Sequence, residues 1–288
     1  MNQSIKVLVT GANGQLGKCI QDVALRFPKL TLILAGHAEL DITNEEAVSS
    51  FFKANDFEYC INAAAYTNVE KAESEPERAH LVNARAVQYL AKACDKHHVT
   101  IFHISTDYVF DGKKKAPYTE EDETNPINSY GDTKLLGEKA LVENASRYFI
   151  LRTSWVYSQY GHNFLKTILN YARERKSLTI TTEQTGTPTN ANDLAFALLH
   201  IISTGNTAYG TYHFANKGQG TWYDFAKTIL EYSGQLEATS LAHTAHYRTF
   251  AVRPKYSVLD TSRFQNNFSI VLIDWKESLR SIISKTNN

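Results

Sequence analysis

The 288-residue sequence is short of several things, and each shortage closes off a class of protein. No run approaches the ~18–20 apolar residues that span a bilayer, so no membrane segment and no membrane partner are expected. The opening stretch, MNQSIKVLVTGANG, passes from polar residues straight into an apolar strand. It has neither the h-region nor the cleavage site of a secretory leader, and a cytoplasmic location is the expectation. Cysteine is scarce: Cys19, Cys60 and Cys94 are an odd number, lack CxxC spacing and sit in apolar runs. They read as small core residues in a reducing compartment, with neither a disulfide framework nor a metal cluster. An excess of one charge is missing too, since 30 basic residues face 30 acidic ones. That balance gives no global field to favour nucleic acid or an anionic membrane. There is no internal repeat and no low-complexity tract.

What is present is an ordinary globular composition, 43% hydrophobic and 21% charged, over a length that buries a sizeable core. Short β-branched runs alternate with longer amphipathic ones in the first half, the pattern of a parallel sheet covered by helices. Strands are expected at Ile5–Val9, Leu30–Leu34, Tyr59–Ala65, Thr100–Ser105 and Tyr148–Thr153. Leu16, Ile20, Val23, Ala24 and Phe27 fall on one helical face. Thr43 with Glu46 and Ser74 with Glu77 read as capping boxes opening two further helices, the second with Pro76 in its first turn. A long helix is expected from about Asn128 to Asn144. Later helices are expected over Asn163–Arg173, Asn192–Ile202, Thr221–Tyr232 and Trp275–Ile283, with strands at Leu178–Thr181 and Thr211–Phe214. The stretch Leu236–Tyr256 reads as polar and irregular. The fold class is therefore α/β: a Rossmann-type doubly wound parallel sheet with a smaller C-terminal substrate-binding lobe. Residues 1–155 form the expected dinucleotide-binding domain, with segments near 178–215 returning to it, and 156–288 form mainly the substrate lobe.

Gly11-Ala12-Asn13-Gly14-Gln15-Leu16-Gly17 joins the first strand to the first helix. Glycines there let the backbone turn tightly and set the helix N-terminus against a pyrophosphate, so Gly11, Asn13, Gly14, Gln15, Leu16 and Gly17 are cofactor candidates. The spacing is GxxGxxG, not GxGxxG. At the end of the second strand, Leu34-Ala35-Gly36-His37-Ala38 holds no carboxylate until Glu39 and no arginine. NADPH is then accepted and NADH is not excluded. His37, Asp41 and Ile42 are placed near the adenosine, and Ala63, Ala64 and Ala65 beside the pyrophosphate and ribose. The alternative for the three alanines is a tightly packed strand end.

Tyr130 and Lys134 stand at i and i+4, on one face of a helix. A phenol titrates near 10 and is a poor acid at neutral pH; an adjacent ammonium lowers that value. Of the 16 tyrosines, Tyr223 also has a lysine four residues on, Lys227, so spacing alone does not choose. Context does: Tyr130 follows the glycine-rich unit and the Ser105-Thr106-Asp107 strand end, whereas Tyr223 lies beside Trp222 and Phe225 and reads as aromatic packing. Thr106 ends a buried strand, where its hydroxyl can stabilise a developing alkoxide.

The segments TGANGQLG, LDITN, NAAAYTNVEKAE, STDYVFDG, NSYGDTKLLGE, LRTSWVYS, QTGTPT, YHFAN and RPKYSVLD together resemble an extended short-chain dehydrogenase/reductase, and more narrowly the dTDP-4-dehydrorhamnose reductase family. The resemblance runs along nearly the whole chain. It implies a Thr106-Tyr130-Lys134 triad, hydride from NADPH or NADH, and reduction of the C4 ketone of dTDP-4-dehydro-β-L-rhamnose. It also implies substrate contacts from Tyr66, Thr67, Asn68, Thr106, Asp107, Trp155, Asn163 and Arg253, the last two toward the nucleotide-sugar pyrophosphate. Trp155 is otherwise a core residue, and Arg253 otherwise a surface ion pair. Some relatives hold Mg2+ at a dimer contact. Glu183 lies in the matching region, but one carboxylate assigns no metal, and the chain is expected as a monomer or a homodimer. The alternatives are another nucleotide-sugar reductase or epimerase on the same scaffold, or a non-catalytic regulatory subunit.

Overall fold

A computed structural model of the chain describes residues 4–174 and 177–286. Its centre is a six-stranded sheet made of β1 (Ile5–Thr10), β2 (Leu30–Ala35), β3 (Tyr59–Asn62), β4 (Thr100–Thr106), β5 (Tyr148–Thr153) and, returning late in the chain, the strand Gly210–His213. The late strand lies outside β5, and the order then runs β5, β4, β3, β1, β2, all parallel. Alternation along β1 explains the two layers. Val7 and Val9 face a core with α1 (Gln15–Ala24) and α8 (Ala191–Thr204). Leu8 faces the opposite core with α2 (Glu45–Ala54), α5 (Ala86–Lys96) and α6 (Ser129–Asn144). Both faces are buried, which is why these strands read as continuous apolar runs. Cys19, Cys60 and Cys94 are free thiols buried in these cores.

After β1 the chain builds β2 on one side and then crosses to β3 on the other, so the direction of winding reverses between β1 and β3. The turns leaving β1, β3, β4 and β5 open at the same edge, where doubly wound sheets place their ligands. A third core joins α7 (Phe164–Arg173), α9 (Trp222–Tyr232) and the helix Trp275–Thr286 through Leu165, Ile168, Phe225, Ile229, Trp275 and Leu279. This lobe faces the strand ends.

Several local expectations differ from the structure. Thr43 does not open α2: its hydroxyl donates to Asp41 at 2.7 Å, and Asn44 caps the helix by accepting from Ala47 N at 3.0 Å. Ser74 ends a short helix, α3 (Val69–Ser74), which Asn68 caps, while α4 (Pro76–His80) begins at Pro76 and continues through a π-helical turn, Leu81–Arg85, into α5. A short polar residue caps whichever adjacent N–H it reaches first, and two neighbouring ones compete. β3 stops at Asn62, so Ala63–Ala65 lie in the loop. Leu178–Thr181 does not rejoin the central sheet but pairs in parallel with Leu241–Thr244, a strand inside the stretch read as irregular.

Candidate active site

The glycine turn comes first in the chain. Gly11 has φ +63°, and a Cβ there would sit 2.7 Å from the Ala64 amide nitrogen, so a side chain at this position would push the β1 and β3 loops apart. α1 then starts with Gly14 as its cap and no side chain covering its first N–H groups. The bare helix end and side-chain-free turn make a cradle that a phosphate fits and a side chain would fill. Gly11, Asn13, Gly14, His37, Asp41, Ile42, Ala63, Ala64, Ala65 and Tyr66 surround a chamber of about 420 Å³ at this turn. Glu39 is exposed and accepts from Gly36 N at 2.8 Å.

Gly14 and Ala63–Ala65 also border a cleft of about 620 Å³ that contains Gln15, Leu16, Thr67, Thr106, Asp107, Tyr130, Lys134, Trp155, Asn163, Trp222 and Arg253. Tyr130 stands in the first turn of α6, where the helix dipole favours a phenolate. Asn128 fixes that turn: its carbonyl oxygen accepts from Gly131 N, and its amide donates to Val252 O at 2.8 Å. Gly131 lets α6 come down onto the Tyr108 carbonyl, which any Cβ would overlap. The phenol shares a hydrogen bond with the Thr106 hydroxyl. Burial raises the phenol above its usual range, and the Thr106 bond opposes that rise only in part.

The expected lowering of Tyr130 by an adjacent ammonium is absent. Lys134, 1% exposed, instead donates to Ile104 O at 2.6 Å and lies 3.2 Å from His103 Nε2. Burial lowers the lysine to about 8, against the attraction of Glu138. Asp107 is 2% exposed with one oxygen unpartnered, and burial raises it to about 7 against bonds from Ser257 and Thr106. Burial thus shifts lysine, phenol and carboxyl alike toward their neutral forms.

The structure separates the other predicted contacts. Tyr66 lies in the glycine-turn chamber, not the cleft, and its hydroxyl donates to Glu75. Asn68 caps α3 and borders neither space. Asn163 borders the cleft, but its amide donates to Gln15, Ser158 and Tyr160, which commits it to holding α7 against the glycine helix. Arg253 reaches the cleft wall while paired with Glu70 at 2.7 Å. Trp155 adopts φ +45°, a strained backbone for a bulky residue, and stacks on Trp222 with ring centroids 3.7 Å apart. Glu183 pairs with Lys255, and no His/Cys/Asp/Glu group suited to a metal occurs among the described residues. Lys227 of the decoy pair reaches Glu231 at the surface, and Tyr223 packs edge-on against His243.

Two residues that border these spaces escaped the sequence reading. Trp222 borders both the cleft and a further chamber of about 420 Å³ within the lobe, lined by Phe164, Thr179, Gln184, Tyr247 and Thr249. Arg78 borders the glycine-turn chamber together with His37, carried there by α4, which lies remote in sequence from β2. No local motif marks either one.

Comparison with known proteins decides the family. The RmlD substrate binding domain family matches residues 5–288. A dTDP-4-dehydrorhamnose reductase of Aggregatibacter actinomycetemcomitans is 41% identical, with 96% of this chain and 98% of the relative aligned. That of Escherichia coli K12 is 38% identical over 98% of each. This chain belongs to the dTDP-4-dehydrorhamnose reductase family. Among solved members of the family, the Clostridium acetobutylicum structure shares 39% identity at a TM-score of 0.94, covering 99% of this chain and 100% of that one. The Bacillus anthracis dTDP-4-dehydrorhamnose reductase, solved in complex with NADP, shares 34% identity at a TM-score of 0.94, covering 98% and 100%.

Proposed function

We propose that this chain reduces the C4 ketone of dTDP-4-dehydro-β-L-rhamnose to dTDP-β-L-rhamnose with NADPH or NADH, a step of nucleotide-sugar biosynthesis. The observation that carries the reading is the cluster of Thr106, Tyr130 and Lys134 in the cleft that shares Gly14 and Ala63–Ala65 with the glycine-turn chamber. The dinucleotide supplies a hydride when bound. Gly11, Asn13, Gly14, Gln15, Leu16, Gly17 and Ala63–Ala65 would hold its pyrophosphate and ribose, and His37, Asp41, Ile42 and Arg78 its adenosine end.

In this reading Tyr130 protonates the C4 oxygen, and a phenol held neutral by burial is in the form that donates. Thr106 orients that phenol and offers a hydroxyl to the same oxygen. Asp107, with a free buried oxygen, accepts from a sugar hydroxyl. Trp155 and Trp222 form the apolar wall against the ring, and Arg253 exchanges Glu70 for the substrate pyrophosphate. Tyr66, Asn68 and Asn163 act by holding the loops that carry these groups. The lobe chamber beyond Trp222 receives the nucleoside. The proposal places the enzyme in the cytoplasm, as a monomer or a homodimer; no described helix is long and apolar enough to cross a membrane. The test is NADPH oxidation with dTDP-4-dehydrorhamnose beside other 4-keto nucleotide-sugars. An epimerase would give product without net NADPH consumption.

A further inference from the structure

A buried chain of polar side chains runs behind the site and ends on Lys134; the reaction described above gives no part to the rest of it. Thr10, at the end of β1, donates to Asn62 Oδ1 at 2.7 Å. The same oxygen accepts from the Ala64 backbone N–H at 3.3 Å. A backbone N–H only donates, so this contact fixes which end of the Asn62 amide carries oxygen. The NH2 end therefore faces His103, with Nδ2 3.1 Å from ring Nδ1. On the far side of the ring, Nε2 lies 3.2 Å from Lys134 Nζ, which also donates to Ile104 O. Asn62, His103 and Lys134 are each almost wholly buried, at 1%, 0% and 1% exposure.

Counting protons along this chain leaves one consistent arrangement. A neutral imidazole accepts at one nitrogen and donates from the other. Nδ1 accepts from Asn62, so the ring proton is on Nε2 and points at Lys134. An ammonium offers only donors and would meet this N–H donor to donor. A neutral amine has a lone pair and accepts from Nε2–H while donating to Ile104 O, which satisfies every group in the chain. The imidazolium offers no escape, because it would set N–H against Asn62 as well, and burial alone already holds His103 below its usual value.

We propose that Asn62 and His103 form a tautomer lock that makes the neutral amine the form of Lys134 accommodated in the ligand-free site. His103 is thus a positioning residue for proton delivery: it acts on substrate only through Lys134. On adopting this form the lysine gives one proton to solvent in the cleft, and it regains one from solvent when it turns away from the ring. The lock also joins the two halves of the site, because Ala64, which orients Asn62, is the residue that crowds Gly11 in the cofactor turn. The groups that bear on Lys134 are His103 from β4 and, on its own helix, Tyr130 and Glu138. Glu138 favours the ammonium but is itself held by Arg152 of β5 in a two-point pair and by Ser105. Beside Tyr130 stand Asp107 and Tyr108.

The inference takes Lys134 as the reductase lysine, so its first test is independent of turnover. Imidazole 15N long-range correlation spectra of the ligand-free full chain should show His103 neutral with its proton on Nε2 between pH 6 and 9. A proton on Nδ1, or an imidazolium, overturns the lock whatever reaction the enzyme performs. The second test uses His103→Gln, whose amide reaches the Nε2 position and can turn its oxygen to the lysine. The Lys134 titration, followed by 15Nζ or 13Cε shifts, should then move upward by about one unit or more, and the pH profile of kcat should move the same way with KM for NADPH little changed. An unmoved Lys134 midpoint, or a rate loss uniform in pH, assigns His103 a purely structural part and overturns the proposal. If His103→Gln does not fold, the wild-type tautomer decides. Absence of any NADPH-dependent reduction alongside an Nε2 tautomer would sink the proposed function and leave the lock standing.

Discussion

Arg78 and Trp155 bear on the site at the residue scale in opposite ways. The Arg78 side chain is largely exposed, 3.6 Å from Glu75 and over the Tyr66 ring, at the rim of the glycine-turn chamber. A partly exposed charge contact is worth up to about 1 kcal/mol. Arg78→Ala should therefore raise KM for NADPH by about fivefold and leave KM for NADH nearly unchanged. Equal shifts for both dinucleotides would remove Arg78 from recognition. Trp155 is fixed instead, strained at its backbone and stacked on Trp222. The aromatic at 155 was legible because it follows a strand end inside a recognisable segment. Trp222 and Arg78 were not, because only the folded lobe carries the first to the cleft and only the α3–α4 excursion carries the second to the glycine-turn chamber.

Elements set the geometry in which these residues act. The segment 250–253 is fastened by Glu70 of α3, which accepts from Phe250 N, Ala251 N and Arg253, and by Asn128 at the start of α6. Glu70→Ala should speed amide hydrogen exchange at Phe250 and Ala251 and raise KM for the nucleotide-sugar, with KM for NADPH unaffected. Exchange at the wild-type rate would show that Glu70 does not hold the segment. The turn after β1 is equally specific. Gly11→Val combines a positive φ with a contact against Ala64 and should weaken NADPH binding at least tenfold, read by quenching of protein fluorescence. Strands and long helices were readable from apolar periodicity, since burial on both faces leaves an unmistakable pattern in β1, β4 and β5. Helix starts were misread where two cap residues adjoin, as at Thr43 and Asn44. Leu241–Thr244 was missed because it forms one half of a small surface sheet and is mostly exposed or part-exposed.

At the scale of the whole molecule, stability should fall as pH drops below 7. His213 is buried against the Tyr118 carbonyl, and burial lowers it to about 3. Its unfolded form takes up a proton near pH 6.5, so stability is lost between there and pH 3, and His103 acts in the same sense. Asp107, raised to about 7, works oppositely and gains stability as pH falls from 7 toward 4. The two histidines outweigh one carboxyl, so the melting temperature should decline from pH 7 to 5. His213→Asn, which keeps a donor for Tyr118 O, should flatten that decline; an unchanged slope would show that His213 does not carry it. The doubly wound sheet was legible from the sequence because its alternation of strand and helix is written in the first 155 residues. The partition of later segments between sheet and lobe depends on pairing across distant sequence, as when Gly210–His213 joins β5. The claim that unites these scales is that Tyr130 gives its proton to a nucleotide-sugar ketone. NADPH oxidation with dTDP-4-dehydro-β-L-rhamnose tests it most directly, comparing the wild-type chain with Tyr130→Phe. The account predicts stoichiometric formation of dTDP-β-L-rhamnose by the wild type and a ~100-fold or greater fall in kcat for the variant, with NADPH binding retained. Equal rates for the two proteins, or no NADPH consumed by either, would contradict it.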